Sequence, residues 1–432
     1  MTARAATAIG SARPPASTSA WAERHVVRVL TLDLLLVVAA QKVAIPLAGR
    51  EAQIASAFLI HGAMLAYLLA RGLARLSAER AALLATMAAV IALTQPRLAP
   101  GIVSLPSMVL MLATSALLVA VIPLTRTAHR AILRRFVTVA CAAGGLVCLD
   151  WATQFAGLGM PDLEAFIPHE FNYFEYNYVQ PLYWGSPWMK PNGVFFLETS
   201  HVSQFIALGL VVEVALFRRI AVAAFLGTTL AATYGVTGML IAGSSLPFLA
   251  LRLRPAAATG LLIAVPLLLF AAAQTEFLDA FTRRAAEFSQ SSSSGYNRFV
   301  LPAEWSAAAL TGEADPAWLG TGAGSMPKAL NDDETGVAGL TWPPYTKVGV
   351  EYGGIALALW LLFIAVSLFG QAPFVVSWAA FVQYAFLNGS LNVPIHTVYC
   401  CLLCAGYALT AEGAGSDRPR PVDRRPRALP VP

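Results

Sequence analysis

Charge is what this chain has least of: Asp, Glu, Lys and Arg make up 12% of its 432 residues, about half the share usual in a soluble globular domain. With 57% apolar residues and a mean hydropathy of +0.64, that scarcity excludes a water-soluble reading, a disordered chain and a charge-laced coiled coil. Cysteine is nearly absent too. The five present (Cys141, Cys148, Cys400, Cys401 and Cys404) all lie in apolar stretches, which leaves no disulfide framework. The Cys401-Leu-Leu-Cys404 spacing resembles half of a metal or redox site, but no second pair accompanies it, and we read both as small core residues. The chain also has no H-E-x-x-H, no Walker loop, no dinucleotide glycine pattern and no D-x-D pair. Nothing in it therefore calls for a metal, nucleotide or other cofactor, or for a nucleic-acid partner.

Long apolar runs are abundant. With about 20 residues needed per helical crossing, the sequence predicts an all-α membrane protein with about twelve spans. They lie near 27–48, 52–70, 81–96, 106–125, 136–156, 196–217, 220–235, 237–251, 256–273, 347–369, 373–387 and 393–411. The organisation expected is a short N-terminal segment (1–26), a polytopic domain (27–412) and a basic, Pro-rich, disordered tail (413–432). No cleavable h-region follows the polar start, so a retained signal anchor is expected. Arginine sets the orientation. Under the twelve-span model 20 of the 29 basic residues fall on one side, in connections such as Arg71–Arg80, Arg126–Arg135, Arg218–Arg219 and Arg252–Arg254 and in both termini. That side is assigned to the cytoplasm.

The opposite face carries two long connections, 157–195 and 274–346, and loops of that size usually carry function or are disordered. The first is dense in aromatic residues, from Phe166 through Tyr183, Trp184 and Trp188; the second holds Trp305, Trp318, Trp342 and a helical-looking "EWSAAAL". Such rings stack on sugar faces, and they also form ordinary interfacial belts; composition leaves both open. Arg283, Arg284, Arg298, Lys328 and Lys347 cluster in or beside the second loop, on a face otherwise poor in base. They suit an anionic partner such as a lipid diphosphate, while Arg283 and Arg284 also suit lipid headgroups. At the mouth of the sixth span stands "GVFFLETSHVSQFIALG". There Ser200 or Thr199 could cap the helix beside Glu198, or the row Glu198–Thr199–Ser200–His201–Gln204 could be a site, since ionisable groups at the membrane are costly. Asp33 and Lys42 are expected to pair or snorkel, Glu213 to form a surface ion pair with Arg218 or Arg219, and Asp150, Glu351, His61 and His396 are further ionisable groups near spans.

Three segments carry a resemblance to a known family. "NGVFFLETSHVSQFIAL" (192–208) is similar to a G-x-F-x-E-P-S opening of a central span, with Thr199 in the Pro position. "GYNRFVLPAEWSAAALTGEADPAWLGTGAGS" (295–325) resembles an arginine followed after about twenty residues by G-x-G-x-G, here Arg298 with Gly320, Gly322 and Gly324. "WPPYTKVGVEYGGIALALW" (342–360) resembles the close of the large loop, with Glu351 and Gly353 in place. Together they resemble the O-antigen ligase and polymerase superfamily of bacterial inner-membrane proteins. Two departures, no His near Trp342 and Val236 in an arginine position, favour a polymerase of exopolysaccharide or O-antigen repeats over a lipid A-core ligase.

The resemblance implies metal-free glycosyl transfer at the periplasmic face, with both termini cytoplasmic. Polyprenyl-diphosphate-linked oligosaccharide would be donor and a growing polysaccharide chain its partner, along with membrane lipids, a chain-length regulator and export proteins. Arg298, with Arg283 or Arg284, would stabilise the departing diphosphate. Lys328 and Lys347 would bind substrate. Glu198 would be the base, with His201 or His169 behind it, and Tyr183, Trp184, Trp188 and Trp342 would position sugars. A ligase for another acceptor, a twelve-span transporter or flippase and a non-catalytic assembly component remain the alternatives.

Overall fold

The computed structural model describes residues 20–46, 53–95, 103–161, 163–173, 179–182, 185–251, 296, 300–311, 318–325, 342–389 and 393–409. They are mostly helical. In chain order the helices are α1 (Ala20–Ala39), α2 (Ser56–Ala70), α3 (Ala78–Thr94), α4 (Leu105–Ala116), α5 (Arg126–Phe155), α6 (Thr199–Val212), α7 (Ile220–Ala232), α8 (Val236–Ala250), α9 (Leu301–Thr311), α10 (Pro344–Leu368), α11 (Phe374–Val382) and α12 (Ile395–Cys400). Three helices widen at their C-terminal ends into π-turns, α6 through Phe217, α11 through Leu387 and α12 through Ala405. The short strands are β1 (Ala44–Pro46) and β2 (Gln53–Ala55), β3 (Arg75–Leu76), β4 (Ala120–Leu124), β5 (Gln180–Pro181), β6 (Met189–Lys190) and β7 (Tyr407–Leu409).

Among the described residues three helices are long and apolar enough to cross a membrane: Arg126–Phe155, Thr199–Phe217 and Pro344–Leu368. Shorter apolar helices surround them. The reason they are helices is plain from the sequence: lipid offers no hydrogen bonds, so an apolar run must satisfy its own backbone. Several expected spans are cut short. The run 106–125 leaves the helix before Ala120, and 393–411 leaves it at Gly406, because β4 pairs in parallel with β7 and antiparallel with β3. The small sheet thereby satisfies the backbone where three helices end. The expected span 256–273 lies outside the described residues.

At that end of the bundle the last helix is capped side chain by side chain. Its C-terminal carbonyls need partners, and those of Cys401, Leu402, Leu403 and Ala405 find them. Gly406 N donates to Cys401 O, Tyr407 Oη to Leu402 O, His129 Nε2 lies 3.1 Å from Leu403 O, and Arg80 donates to both Ala405 O and Leu118 O. Nearby, Arg130, Arg134 and Arg219 stack on the Phe217 ring. Glu213, expected at the surface, is fully buried; Arg219 meets its carboxylate at 2.6 Å. The π-turn brings this about, since it ends in a left-handed Arg218 that folds Arg219 back over Glu213. Asp33 pairs with His61 at 2.6 Å, both buried, and not with Lys42. The two lie on α1 and α2, which pack side by side.

The 30 residues of α5, about 45 Å long, run from this arginine-rich end to the end that carries the first long connection. There Asp150 accepts from Gly193 N (2.8 Å), with Lys42 in electrostatic range. Gln154 is bonded to the Met189 backbone through both its donor and acceptor, and Tyr173 N donates to Lys42 O. The segment 185–198 is thus pinned to α5 before it turns into α6.

Candidate functional site

The opening of α6 is built as a buried polar row. Glu198 is itself the N-cap residue, in extended conformation, and neither Thr199 nor Ser200 caps the helix through its side chain. Instead Ser200 Oγ donates to Glu198 Oε2 (3.0 Å) and lies 3.3 Å from His201 Nδ1. Thr199 Oγ1 reaches back to Lys190 O at 3.5 Å. The His201 ring stacks on that of His396, centroids 5.1 Å apart. His396 Nδ1 lies 2.7 Å from Gln383 Nε2, and Gln204 Nε2 donates to Leu387 O. Glu198 and His201 are each 5% exposed, and His396 and Gln383 fully buried. The row therefore crosses three elements, α6, the π-turn after α11 and the start of α12. A carboxylate, a hydroxyl and an imidazole in hydrogen-bond sequence are suited to accept and pass a proton.

The second centre is a break in α10. Gly353 has φ 86° and ψ 170° inside the helix, which frees carbonyls of the preceding turn. The glycine-rich loop supplies them with donors: Thr321 N donates to Val350 O (2.9 Å) and Gly322 N to Glu351 O (3.0 Å). Gln95 joins from α3, accepting from Ala323 N at 2.8 Å. The approach leaves no room for side chains, since a Cβ on Gly320 would come 2.5 Å from Glu351 O and one on Gly353 2.4 Å from Trp318 O. Gly320, Gly322 and Gly324 all adopt positive φ. So the G-x-G-x-G segment and the E-x-G segment, the second and third stretches of the resemblance, meet here. One turn before the break Lys347 Nζ bonds Glu351 Oε1 at 3.0 Å, both buried. Lys347, expected to bind an anionic substrate, is occupied by this carboxylate.

No family model matches the chain, and no curated protein or solved structure matches it either.

The other expected site residues divide. Glu198 and His201 are brought together. His169 sits in an exposed turn, His169–Phe171, of the first long connection. Trp188 is partly exposed and meets Phe155 edge-on, while Trp342 is buried against Trp305. "EWSAAAL" is helical, in α9. Arg283, Arg284, Arg298, Lys328, Tyr183 and Trp184 lie outside the described residues. Tyr296, inside the second connection, donates to Glu304 Oε2 (2.8 Å), a bond that pushes its phenol above the ordinary range. Sequence reasoning noted His396 only as one ionisable group among several, and missed Gln383 altogether. The available signal was "NVPIH": a proline that opens a helix and a histidine inside an apolar run. Among the described residues no group of three or more His, Cys, Asp or Glu is placed to hold a metal ion.

Proposed function

We propose that this chain is a membrane glycosyltransferase of the polysaccharide-polymerase type. It would transfer a glycan from polyprenyl diphosphate to an acceptor sugar at the outer membrane face. The observation that carries the reading is the hydrogen-bonded row Glu198–Ser200–His201 at the mouth of α6, its two ends buried and Ser200 partly so, in the segment that also resembles the superfamily. Glu198 is assigned as the base that takes the acceptor hydroxyl proton, with His201 behind it. Arg298, with Arg283 or Arg284, is assigned to the diphosphate leaving group, an electrostatic task that needs no metal. The meeting of the 318–325 and 350–353 segments supports the family resemblance. In this reading the chain crosses the inner membrane about twelve times with both termini cytoplasmic, and 157–195 and 274–346 are periplasmic.

The test is the length distribution of surface and lipid-linked polysaccharide in cells lacking the protein, complemented with wild type, Glu198→Ala or Arg298→Ala. We expect single repeat units in the deletion, rescued by wild type. Either variant should lose about 100- to 10,000-fold of activity, the range for a general base or an oxyanion-type donor. Full-length glycan that stays on its lipid would make the protein a ligase, and an unchanged distribution would sink both glycan readings. A transporter would then lead, a reading favoured by the helices interrupted at Gly353 and between Leu387 and Ile395, since discontinuous helices build transport sites.

A further inference from the structure

Beside the Glu198 row, three side chains from three elements end in atoms with no partner among the described residues. Gln204 lies on α6 one turn after His201; its Nε2 is spent on Leu387 O, and its Oε1 is unpartnered. Gln383 lies four residues before Leu387 on the π-turn; its Nε2 faces His396 Nδ1, and its Oε1 is unpartnered. The amide N–H has only an acceptor to meet at Nδ1, so the neutral imidazole carries its proton on Nε2, and that N–H is unpartnered too. Gln204 is 2% exposed, Gln383 and His396 are 0%. Buried polar groups are as a rule hydrogen-bonded, and π-turns inside helices recur at functional sites. The His201–His396 stack, the Gln383–His396 contact and the Gln204–Leu387 bond tie these three side chains to one region, and a ligand that supplies polar atoms there would complete the set.

The chemistry of the set selects the ligand. It offers one N–H donor and two amide carbonyl acceptors and carries no formal charge. A diphosphate would face two carbonyl oxygens with one donor to hold it, and a metal cation would face an N–H. A hydroxyl donates and accepts at once, and two neighbouring hydroxyls match a set with donors and acceptors mixed. We propose that Gln204, Gln383 and His396 form a subsite for the hydroxyls of a neutral sugar. Its assignment to the acceptor end of the glycan, next to the Glu198 base, rests on the polymerase reading. In that role His396 and the two glutamines hold the acceptor ring while Glu198 takes the proton. The diphosphate is bound elsewhere.

The experiment uses full-length protein in lipid nanodiscs. Thermal unfolding is followed against a panel of neutral monosaccharides (glucose, galactose, mannose and rhamnose) and, separately, against inorganic pyrophosphate. We expect at least one sugar to raise the midpoint of wild type. Gln383→Leu and Gln204→Leu should weaken that sugar at least about tenfold and leave any pyrophosphate response unchanged. Gln383→Glu, with the same shape, is the second variant should Gln383→Leu fail to fold, and it should weaken the sugar likewise. His396→Gln, which keeps an N–H donor, should retain part of the affinity. Equal sugar affinity in all folded variants, a loss confined to pyrophosphate, or no sugar response in wild type because water alone fills the set, would each overturn the subsite.

The two readings fail separately. Sugar binding lost in the Gln383 variants, with normal polysaccharide in cells lacking the protein, keeps the subsite and removes the polymerase. Chain length that collapses in the deletion and is fully restored by Gln383→Leu, with sugar affinity unchanged, removes the subsite and keeps the polymerase.

Discussion

A carboxylate buried in an apolar bundle stays only if something answers its charge, and three of the buried carboxylates in this chain are answered by an ionisable neighbour in contact. Asp33 has His61, Glu213 has Arg219 and Glu351 has Lys347. The sequence showed all six residues but paired only one of these sets, Glu213 with Arg218 or Arg219. Lys347 lies four residues before Glu351, and Arg219 six after Glu213, so chain spacing hints at both. Asp33 and His61 are 28 residues apart, and only the packing of α1 on α2 brings them together, which no local pattern encodes. The pair makes a sharp prediction. His61→Leu leaves Asp33 buried without its partner and should cost about 3–5 kcal/mol. The double change Asp33→Leu/His61→Leu, apolar on both sides, should recover most of that loss. Unfolding midpoints of the purified protein give the comparison, and a double variant less stable than either single change would show that the pair stabilises more than it costs.

For the elements, helix breaks and their splints matter more than helix lengths. Glycine spacing was readable, and its place in a family pattern pointed to Gly320, Gly322, Gly324 and Gly353. The reason for those glycines was not readable, because it depends on two chain segments about thirty residues apart touching backbone to backbone. The loop gives its amides to carbonyls that the break at Gly353 has freed. Gly353→Ala should therefore fail twice, through a φ of 86° and through a Cβ 2.4 Å from Trp318 O. With ψ at 170° this backbone lies in a region essentially confined to glycine, which costs another residue about 1–3 kcal/mol, and the clash adds to it. We expect the loop to detach first, so limited proteolysis should cut within 318–325 in Gly353→Ala well before it cuts wild type. Equal cutting rates would mean that the loop is held by contacts other than this splint. Helix boundaries were misjudged where β4 and β7 take over, since an apolar run reads alike in a helix end and in a buried strand.

At the scale of the molecule, the arginines and the aromatic residues among those described sort to opposite ends of the same helices. Arg80, Arg130, Arg134 and Arg219 gather where α5 begins and α12 ends, whereas Asp150, Trp151 and Phe155 at the far end of α5 meet Gly193, Ala232 and Trp188. That separation is what a positive-inside arrangement requires, and the arginine pattern in the sequence already contained it. It also yields a test that does not depend on any glycan. In a background with all five native cysteines removed, Arg75→Cys sits in β3 at the basic end and Ala165→Cys in an exposed turn of the first long connection. A membrane-impermeant maleimide applied to intact spheroplasts should label Ala165→Cys and spare Arg75→Cys until the membrane is permeabilised. The reverse pattern would invert the protein and move the Glu198 row to the cytoplasmic side, where nucleotide-linked sugars, not lipid-linked ones, would be the donors to consider. Labelling of both before permeabilisation would mean that no membrane separates the two ends, and a membrane glycosyltransferase of this design could not work.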